Sequence, residues 1–475
     1  MSKVAPRAGT KLTTNSARGF APSVITLHHT LEHMAIGDVL EEGTLGFFWP
    51  LSKKAADLEN EPERGYAKLE EGWVALDVLD ERPMDSLRLG LEMTTDAPTA
   101  LLGALADEAA MFLEVIDAQR NTRFGGSRAS SKRYLARTAI GGVPVDRLRT
   151  PSLQELHAHF HGIGRWAGMS ATKEDWDSDD GRVKEWSVTL SGSEDLTHPL
   201  TGGRELVLST TWRVDGPTDR RTISAPVSIG FKSHRPVDVW ELLQPILQVQ
   251  DLLSFTYEGF VAADGGSARL DLDPAEKERH NQAPTVWNGA LMVRSPVVTA
   301  PRSVNERSLF HLETIGGIAG LARWTRLSST HPRATRPLVA RYRQGRASAA
   351  LTVMEVAAAI EYWAKANRPA VWADSAVKNK KWVQALADRC GKAFADWVGG
   401  PEPWAKAFWG SYNRLKHEPT FEPDALELTD LAESARYLLG AVMLDRVALT
   451  KTPSRSVFKH YRLDGLGARL RDRYA

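Results

Sequence analysis

Hydrophobic residues at every second position predict β-strands over most of the first 300 residues. The alternation is clear at positions 87–91, 186–190, 206–208 and 227–231, and residues 44–50 and 73–78 are further strand candidates. Successive side chains of a strand point to opposite faces, so this spacing is typical of a sheet that packs one face on a core. Residues 20–303 are therefore predicted to be rich in β-strands.

Helical spacing interrupts this pattern twice and then replaces it. Residues 98–118 and 236–255 carry apolar residues three and four positions apart, and Pro245 is expected to kink or break the second helix. After residue 305 the same spacing recurs in segments 348–366, 378–398, 402–419 and 426–449. Four such helices with short connections form an antiparallel bundle. The predicted fold class is α+β, a β-rich N-terminal region with embedded helices followed by an all-α helical bundle.

The length of the chain predicts more than one domain. A chain of 475 residues exceeds a single usual core. The patterns predict a disordered N-terminus at 1–18, a β-rich region at 19–305, a helical arginine-rich connector at 306–346 and a helical bundle at 347–475.

Charge is balanced over the whole chain but not along it. The chain has 60 Lys and Arg against 59 Asp and Glu, so a nucleic-acid site requires a local patch. No acidic residue occurs from Thr314 to Met354, and this window contains Arg323, Arg326, Arg333, Arg336, Arg341, Arg343 and Arg346. A field of this sign attracts phosphates, so RNA contact is one interpretation. The other is a solvated connector whose arginines pair with acids elsewhere.

Cysteine content and hydropathy exclude several classes of protein. The single cysteine, Cys390, excludes an internal disulfide framework and a zinc site built on several cysteines, and its helical position predicts a buried, inert thiol. No signal pattern precedes residue 18, and no apolar run is long enough to span a bilayer. A soluble cytoplasmic protein without a membrane partner is expected.

The strongest chemical signal lies at residues 402–419, EPWAKAFWGSYNRLKHEP. His417 is four residues after Asn413 and three after Arg414, so a helix brings the three side chains to one side. The apolar stripe of this helix excludes them, and Pro419 is expected to end it. A histidine in the last turn feels the negative end of the helix dipole, which favours its protonated form. The end of this helix therefore carries an amide, a phosphate-binding cation and a proton-transfer group side by side.

This segment resembles the signature of the HEPN superfamily, specifically the ApeA-like HEPN proteins of bacterial anti-phage defence, and the long N-terminal part is similar to the ApeA N-terminal domain. The signature is an arginine, usually followed by a polar residue, and then a histidine. When His417 is matched to that histidine, Asn413 matches the polar residue and Tyr412 stands where the arginine is expected. Either Arg414 supplies the guanidinium from a shifted position or the catalytic arginine is lost.

The resemblance implies a metal-independent endoribonuclease with no cofactor. It implies that His417 acts as general acid or base, that Arg414 stabilises the phosphate charge, and that two chains form one site as a homodimer or a higher assembly of dimers. RNA, with tRNA as one candidate, is the implied substrate, and the N-terminal region is implied to sense an unknown phage trigger. The alternative is a non-catalytic HEPN module that binds RNA or protein; a carbohydrate- or peptide-binding β domain with a helical tail is a third.

Supporting roles fall to residues near the motif. By the same resemblance, Glu355 or Glu361 on the first bundle helix orients the site, although a surface glutamate is the other interpretation. Lys416 is a candidate phosphate contact, or simply a lysine placed by the helix dipole. Trp409 either stacks on a base or packs in the core.

Two further segments carry groups that can bind metal. His157, His159 and His161 alternate in HAHFHG after Glu155, so on a strand they share one face; the other interpretation is a set of partly buried or surface polar residues. The acidic run at 174–181 lacks the glycine and the terminal glutamate of an EF-hand at the required positions. It is therefore predicted to be a solvated loop.

Overall fold

The structure, a computed structural model, describes residues 35–51, 62–80, 98, 100–105, 109–121, 130–143, 152–191, 194–215, 220–270, 284–292, 307–367 and 381–475. The strands of these residues are β1 (Thr44–Leu51), β2 (Glu63–Glu70), β3 (Trp73–Asp80), β4 (Ala100–Leu105), β5 (Ala109–Leu113), β6 (Ile116–Asn121), β7 (Ser130–Ala136), β8 (Thr138–Gly141), β9 (Ser152–Phe160), β10 (Thr172–Asp179), β11 (Arg182–Leu190), β12 (Leu196–Leu200), β13 (Arg204–Thr210), β14 (Arg213–Asp215), β15 (Thr222–Ser224), β16 (Val227–Asp238), β17 (Ala263–Arg269) and β18 (Thr285–Asn288).

The helices lie mainly in the last third of the chain. They are α1 (Ile36–Glu42), α2 (Ile163–Ala167), α3 (Val239–Tyr257), α4 (Gly289–Met292), α5 (Gly317–Thr330), α6 (Pro332–Gln344), α7 (Ala349–Ala366), α8 (Trp382–Cys390), α9 (Lys392–Val398), α10 (Pro401–His417), α11 (Ala425–Ala448), α12 (Thr452–Phe458) and α13 (Asp464–Tyr474), with 3-10 turns at Glu313–Ile315 and Tyr461–Leu463. A β-rich half followed by a helical half confirms the predicted α+β class.

One antiparallel sheet contains most of the described strands. Its order is β12-β13-β16-β9-β17-β18-β8-β5-β4-β1-β2-β3-β7-β6, and β10–β11 and β14–β15 form separate two-stranded ribbons. The strands predicted at 44–50, 73–78, 186–190, 206–208 and 227–231 are confirmed. The segments predicted at 1–18 and 87–91 lie outside the described residues.

The main hydrophobic core joins the sheet to the helical region. Apolar side chains of β9 and β16 pack against α3, most of whose leucines and valines are buried. The same cluster of buried residues begins in the sheet at Ala100, continues through helices α5 to α13, and ends at Tyr474. A smaller core beneath α1 contains Phe48 and Trp287. Helix α11, the predicted helix at 426–449, is buried along most of its length, from Asp430 to Asp445.

Three predictions of local structure were wrong or incomplete. The described residues predicted as a helix at 98–118 form strands β4, β5 and the start of β6. Strands β4 and β5 lie inside the sheet, where their apolar residues are buried on both faces. The predicted helix 378–398 is divided between α8 and α9 at Gly391, whose φ is +82°. Helix α3 continues through Pro245 without ending.

Among the described residues, no helix combines the length and the apolarity that crossing a bilayer requires.

Candidate functional site

The helix predicted at 402–419 is α10, and its ends follow from its sequence. Pro401 occupies the first turn, where a proline has no N–H to lose to the helix. The last hydrogen bond runs from the Glu418 backbone N–H to the Arg414 carbonyl, at 2.8 Å. Because Pro419 cannot donate a further bond, the helix stops, and His417 is its last residue.

Aromatic side chains fix one side of α10 in the core. The Trp404 indole N–H donates to Ser434 Oγ on α11 at 2.9 Å, and its ring stacks on Phe408 with 6.0 Å between centroids. Trp409 is buried and lies edge-on to Trp382. The core role of Trp409 is therefore confirmed, and its ring is not available to stack on a base.

The opposite side of α10 exposes the polar groups of the motif. Asn413, Arg414, Lys416 and His417 are all exposed in the last turn and a half of the helix. Arg414 Nε donates to Glu418 Oε2 at 2.9 Å, and its guanidinium lies 3.8 Å from the centroid of the Phe421 ring. In the described part of the chain, Asn413 and His417 make no side-chain hydrogen bond. Both groups are therefore free to meet a ligand.

Tyr412 differs from its motif neighbours because it is buried. Only 6% of its surface is exposed, and its ring packs on Trp409 with 5.0 Å between centroids. Lys416 Nζ lies 5.8 Å from the Tyr412 ring. An arginine side chain placed along the path of Tyr412 would enter the core, whereas Arg414 lies three residues before His417 on the exposed side of the helix.

Among the described residues, the two glutamates expected to support the site form no ion pair with its side chains. Both lie on α7, which packs against α10. The Glu361 carboxylate accepts a hydrogen bond from Lys365 Nζ at 2.7 Å. Glu355 is half-buried and, within the described residues, makes no hydrogen bond to Arg414 or His417.

A groove of about 670 Å³ opens beside Arg414. We call it the α10–α11 groove, and its lining comes from positions 403–414 of α10, from 421–428 and from Tyr474. Sequence reasoning missed Ser411, Phe421 and Tyr474 as part of this region. No local signal marks them, because the groove forms only when the last helix of the chain packs beside α10.

The seven arginines of the 323–346 window divide into two groups. Arg323 donates to the Val447 carbonyl at 2.6 Å, Arg343 donates to Asp251 at 2.6 Å and to Gln250 at 2.9 Å, and Arg341 pairs with Glu433. These three hold α5 and α6 to α3 and α11. The exposed group is Arg326, Arg333, Arg336 and Arg346.

The alternating histidines lie on and just beyond β9, as the strand interpretation requires. His157 Nε2 lies 2.5 Å from Glu155 Oε1, and its Nδ1 lies 3.3 Å from Ser228 Oγ on the neighbouring strand β16. The ring occupies the space above Gly230, where a Cβ would lie 2.3 Å from it. Burial, and then the neighbouring His157, lower the pKa of His159.

Hydrogen bonds and ion pairs surround Glu155 on this face. Lys232 Nζ and Arg269 Nε lie 3.2 and 3.1 Å from the Glu155 carboxylate, while His161 pairs with Asp264 beyond the strand end, at 3.8 Å. In the described ranges, no group of three His, Cys, Asp or Glu residues is arranged to hold a metal ion.

The acidic run at 174–181 forms a projecting ribbon instead of a loop. It makes up β10 and the turn to β11, and nearly every side chain of the two strands is exposed. Trp176 lies directly opposite Trp186, with 68% and 56% of their surfaces exposed. The prediction of a solvated segment is confirmed, although its backbone is extended.

A comparison with protein families identifies the N-terminal region. Residues 45–324 match the family model described as ApeA N-terminal domain 1, a match that runs from β1 into α5. Because the match covers more than half of the chain, the chain belongs to this family, and it is an ApeA-type anti-phage defence protein. No curated protein and no solved structure matches the chain.

Proposed function

We propose that this protein is a metal-independent endoribonuclease that acts as the effector of an abortive-infection response. The observation that carries the proposal is the end of α10, where Asn413, Arg414 and His417 are exposed together while the other side of the helix is fixed in the core. A rigid helix that presents a proton-transfer group beside a guanidinium suits phosphoryl transfer. The ApeA N-terminal domain supplies the defence context.

The proposed chemistry is attack of an RNA 2′-hydroxyl on the adjacent phosphate. His417 acts as general acid or base, Arg414 stabilises the developing negative charge, and Asn413 orients the phosphate or the histidine. The products carry a 2′,3′-cyclic phosphate and a 5′-hydroxyl. Because the nucleophile belongs to the substrate, DNA is excluded. The N-terminal region is proposed to sense a phage trigger and to restrain cleavage until then. The RNA target is not specified by the site, and tRNA is one candidate.

Two chains are proposed to form one cleft. The polar end of α10 faces solvent, so a phosphate bound to one chain alone would remain hydrated and poorly oriented. Two-fold pairing through the same patch closes such a site. We therefore propose a homodimer, or a higher assembly of dimers, in which the exposed Arg326, Arg333, Arg336 and Arg346 attract RNA to the cleft.

Analysis of the cut ends of total RNA incubated with purified protein tests this function. We expect His417→Ala to abolish cleavage and growth arrest without changing the thermal unfolding temperature, because the side chain is exposed. His234→Ala, which changes another exposed histidine, serves as the control and keeps wild-type activity. Cleavage at the wild-type rate by folded His417→Ala would refute the catalytic assignment.

Arg414 separates the nuclease from the alternative, a non-catalytic HEPN module that binds RNA or protein. An ammonium replaces a bidentate guanidinium poorly, so Arg414→Lys is expected to lose most cleavage. The burial of Tyr412 at the expected arginine position favours the alternative. If the wild-type protein binds RNA but does not cut it, with or without the phage trigger, the protein is a binding module and not a nuclease.

Subunit mixing tests the shared cleft. Light scattering is expected to give at least twice the chain mass. Mixing His417→Ala chains with Arg414→Ala chains is expected to restore part of the cleavage if the two groups act across the interface. Cleavage by a chain that is monomeric at the assay concentration would refute the dimeric site.

A further inference from the structure

The α10–α11 groove has two walls of opposite charge. Lys406 and Arg414 project from α10, and Glu422, Asp424 and Glu427 line the facing segment. The two cations are eight residues apart, which at the rise of an α-helix is about 12 Å. The groove therefore offers cations along one side and carboxylates along the other.

Two of the three carboxylates are already used by the fold. Asp424 Oδ1 accepts the Leu426 backbone N–H at 2.9 Å and caps α11, and Glu427 accepts from the Tyr474 hydroxyl at 2.8 Å. Glu422 is exposed and, among the described residues, makes no hydrogen bond or ion pair. Its carboxylate is the acceptor that a ligand in the groove can use.

The floor of the groove leaves room for a flat group. Ala407, Gly410 and Leu428 line it, and a Cβ added at Gly410 would meet no atom within 4 Å. The Arg414 guanidinium lies 3.8 Å from the centroid of the Phe421 ring, and 54% of the Arg414 side chain is exposed. Guanidinium planes of this kind stack on unpaired nucleobases.

We propose that the α10–α11 groove binds one unpaired guanine nucleotide of the RNA, with its phosphate at the Lys406 and Arg414 wall and its base at Glu422. This inference rests on the proposed function. Guanine presents two adjacent donors, N1–H and the N2 amino group, which match the two oxygens of a carboxylate. Uracil presents one donor between two carbonyl oxygens, which the Glu422 carboxylate repels. Glu422 is therefore the residue that determines base preference.

Binding of short RNAs to the His417→Ala chain tests this inference without cleavage. The probes are fluorescein-labelled oligouridines with guanine, inosine or uracil at the centre, followed by anisotropy. We expect the guanine probe to bind about tenfold more tightly than the uracil probe, on the scale of one bidentate pair. Inosine lacks the N2 amino group and is expected to fall between them. Equal affinities for the guanine and uracil probes would overturn the inference.

Two variants locate the effect in the groove. Glu422→Gln is expected to bring the guanine and uracil affinities within about twofold of each other, because the amide no longer accepts two donors. Gly410→Leu is expected to weaken every probe by filling the floor, whereas Gly465→Leu, at another helical glycine with open space, is expected to have no effect. An unchanged affinity for the guanine probe in folded Gly410→Leu would overturn the assignment. Glu422 is exposed, so its variant decides the question even if Gly410→Leu does not fold.

The outcomes for the groove and for the nuclease are separable. Cleavage of RNA by the wild-type chain together with equal affinity for all probes refutes the groove alone. A guanine preference that depends on Glu422, in a chain that cuts no RNA, refutes the nuclease and supports the groove. Absence of all binding and all cleavage refutes both.

Discussion

The buried cation Arg436 is expected to be one of the most sensitive positions for stability. Its side chain is 1% exposed and lies where α11 meets α6 and α3. It donates to Glu433 at 2.8 Å, to the Leu338 carbonyl at 3.0 Å and to the Tyr342 hydroxyl at 3.2 Å. Arg436→Met keeps the length of the side chain and removes its charge and all three hydrogen bonds.

Breaking a buried ion pair from one side costs about 3–5 kcal/mol, because the other charge stays buried. Glu433 keeps Arg341 as a partner, so we expect a loss near the lower limit, about 3 kcal/mol in the free energy of unfolding. The measurement is urea unfolding followed by tryptophan fluorescence. Arg326→Met is the control, since this exposed arginine forms no ion pair in the described part of the chain; its effect is expected to stay within about 0.5 kcal/mol.

The loss is also expected to depend on pH. Burial raises the pKa of Glu433, but the Arg436 and Arg341 guanidinium groups outweigh burial and hold the pKa below its ordinary value of 4.5. A lowered pKa contributes stability that is present above the unfolded value and lost as pH falls through the folded value. Without Arg436 the carboxyl takes up a proton more readily, so the loss is expected to be full at neutral pH and to shrink as pH falls below 4.5. A loss below about 1 kcal/mol at neutral pH, or a loss that does not shrink below pH 4.5, would refute this reasoning.

Three further predictions concern the core and the sheet. Gly440→Ala is expected to lower the thermal unfolding temperature, because its Cβ would lie 2.5 Å from the buried Phe255 ring, whereas Gly410→Ala, with open space, raises it. Cys390 is expected to resist thiol reagents until the protein unfolds, because burial raises the pKa of its thiol to about 12. The check is to measure the rate at which a thiol reagent labels Cys390 and to compare it with the rate of unfolding, which it should equal. Glu155→Gln is expected to make the free energy of unfolding fall less steeply as the pH is lowered. Burial raises the pKa of Glu155, but His157 and then Arg269 and Lys232 outweigh burial and lower it; an unchanged acid transition would contradict this.

Hydrophobic spacing predicted a helix where one side of that helix is buried. Helix α10 shows this, because its buried residues recur three and four positions apart. The same kind of reasoning wrongly predicted a helix at 98–118. The interior strands there are apolar on both faces, and a run of alanine and leucine also suits a helix.

Local sequence patterns could not predict contacts between side chains from distant parts of the chain. The alternation in HAHFHG correctly placed Glu155 beside His157, but Ser228 joins them only through the pairing of β9 with β16. The same holds for the groove, to which Tyr474 contributes from the end of the chain. The motif residues His417 and Arg414 were found because they are neighbours within one helix.

The single core that joins sheet and helices has a consequence for the order of synthesis. The ribosome completes the ApeA domain first, yet apolar side chains of α3 and the sheet belong to the same cluster as Leu470 and Tyr474 near the end of the chain. Domains generally fold as units as they emerge, but this core also needs helices that are synthesised after the sheet. Helix α10 therefore packs into a core whose N-terminal part has already been synthesised.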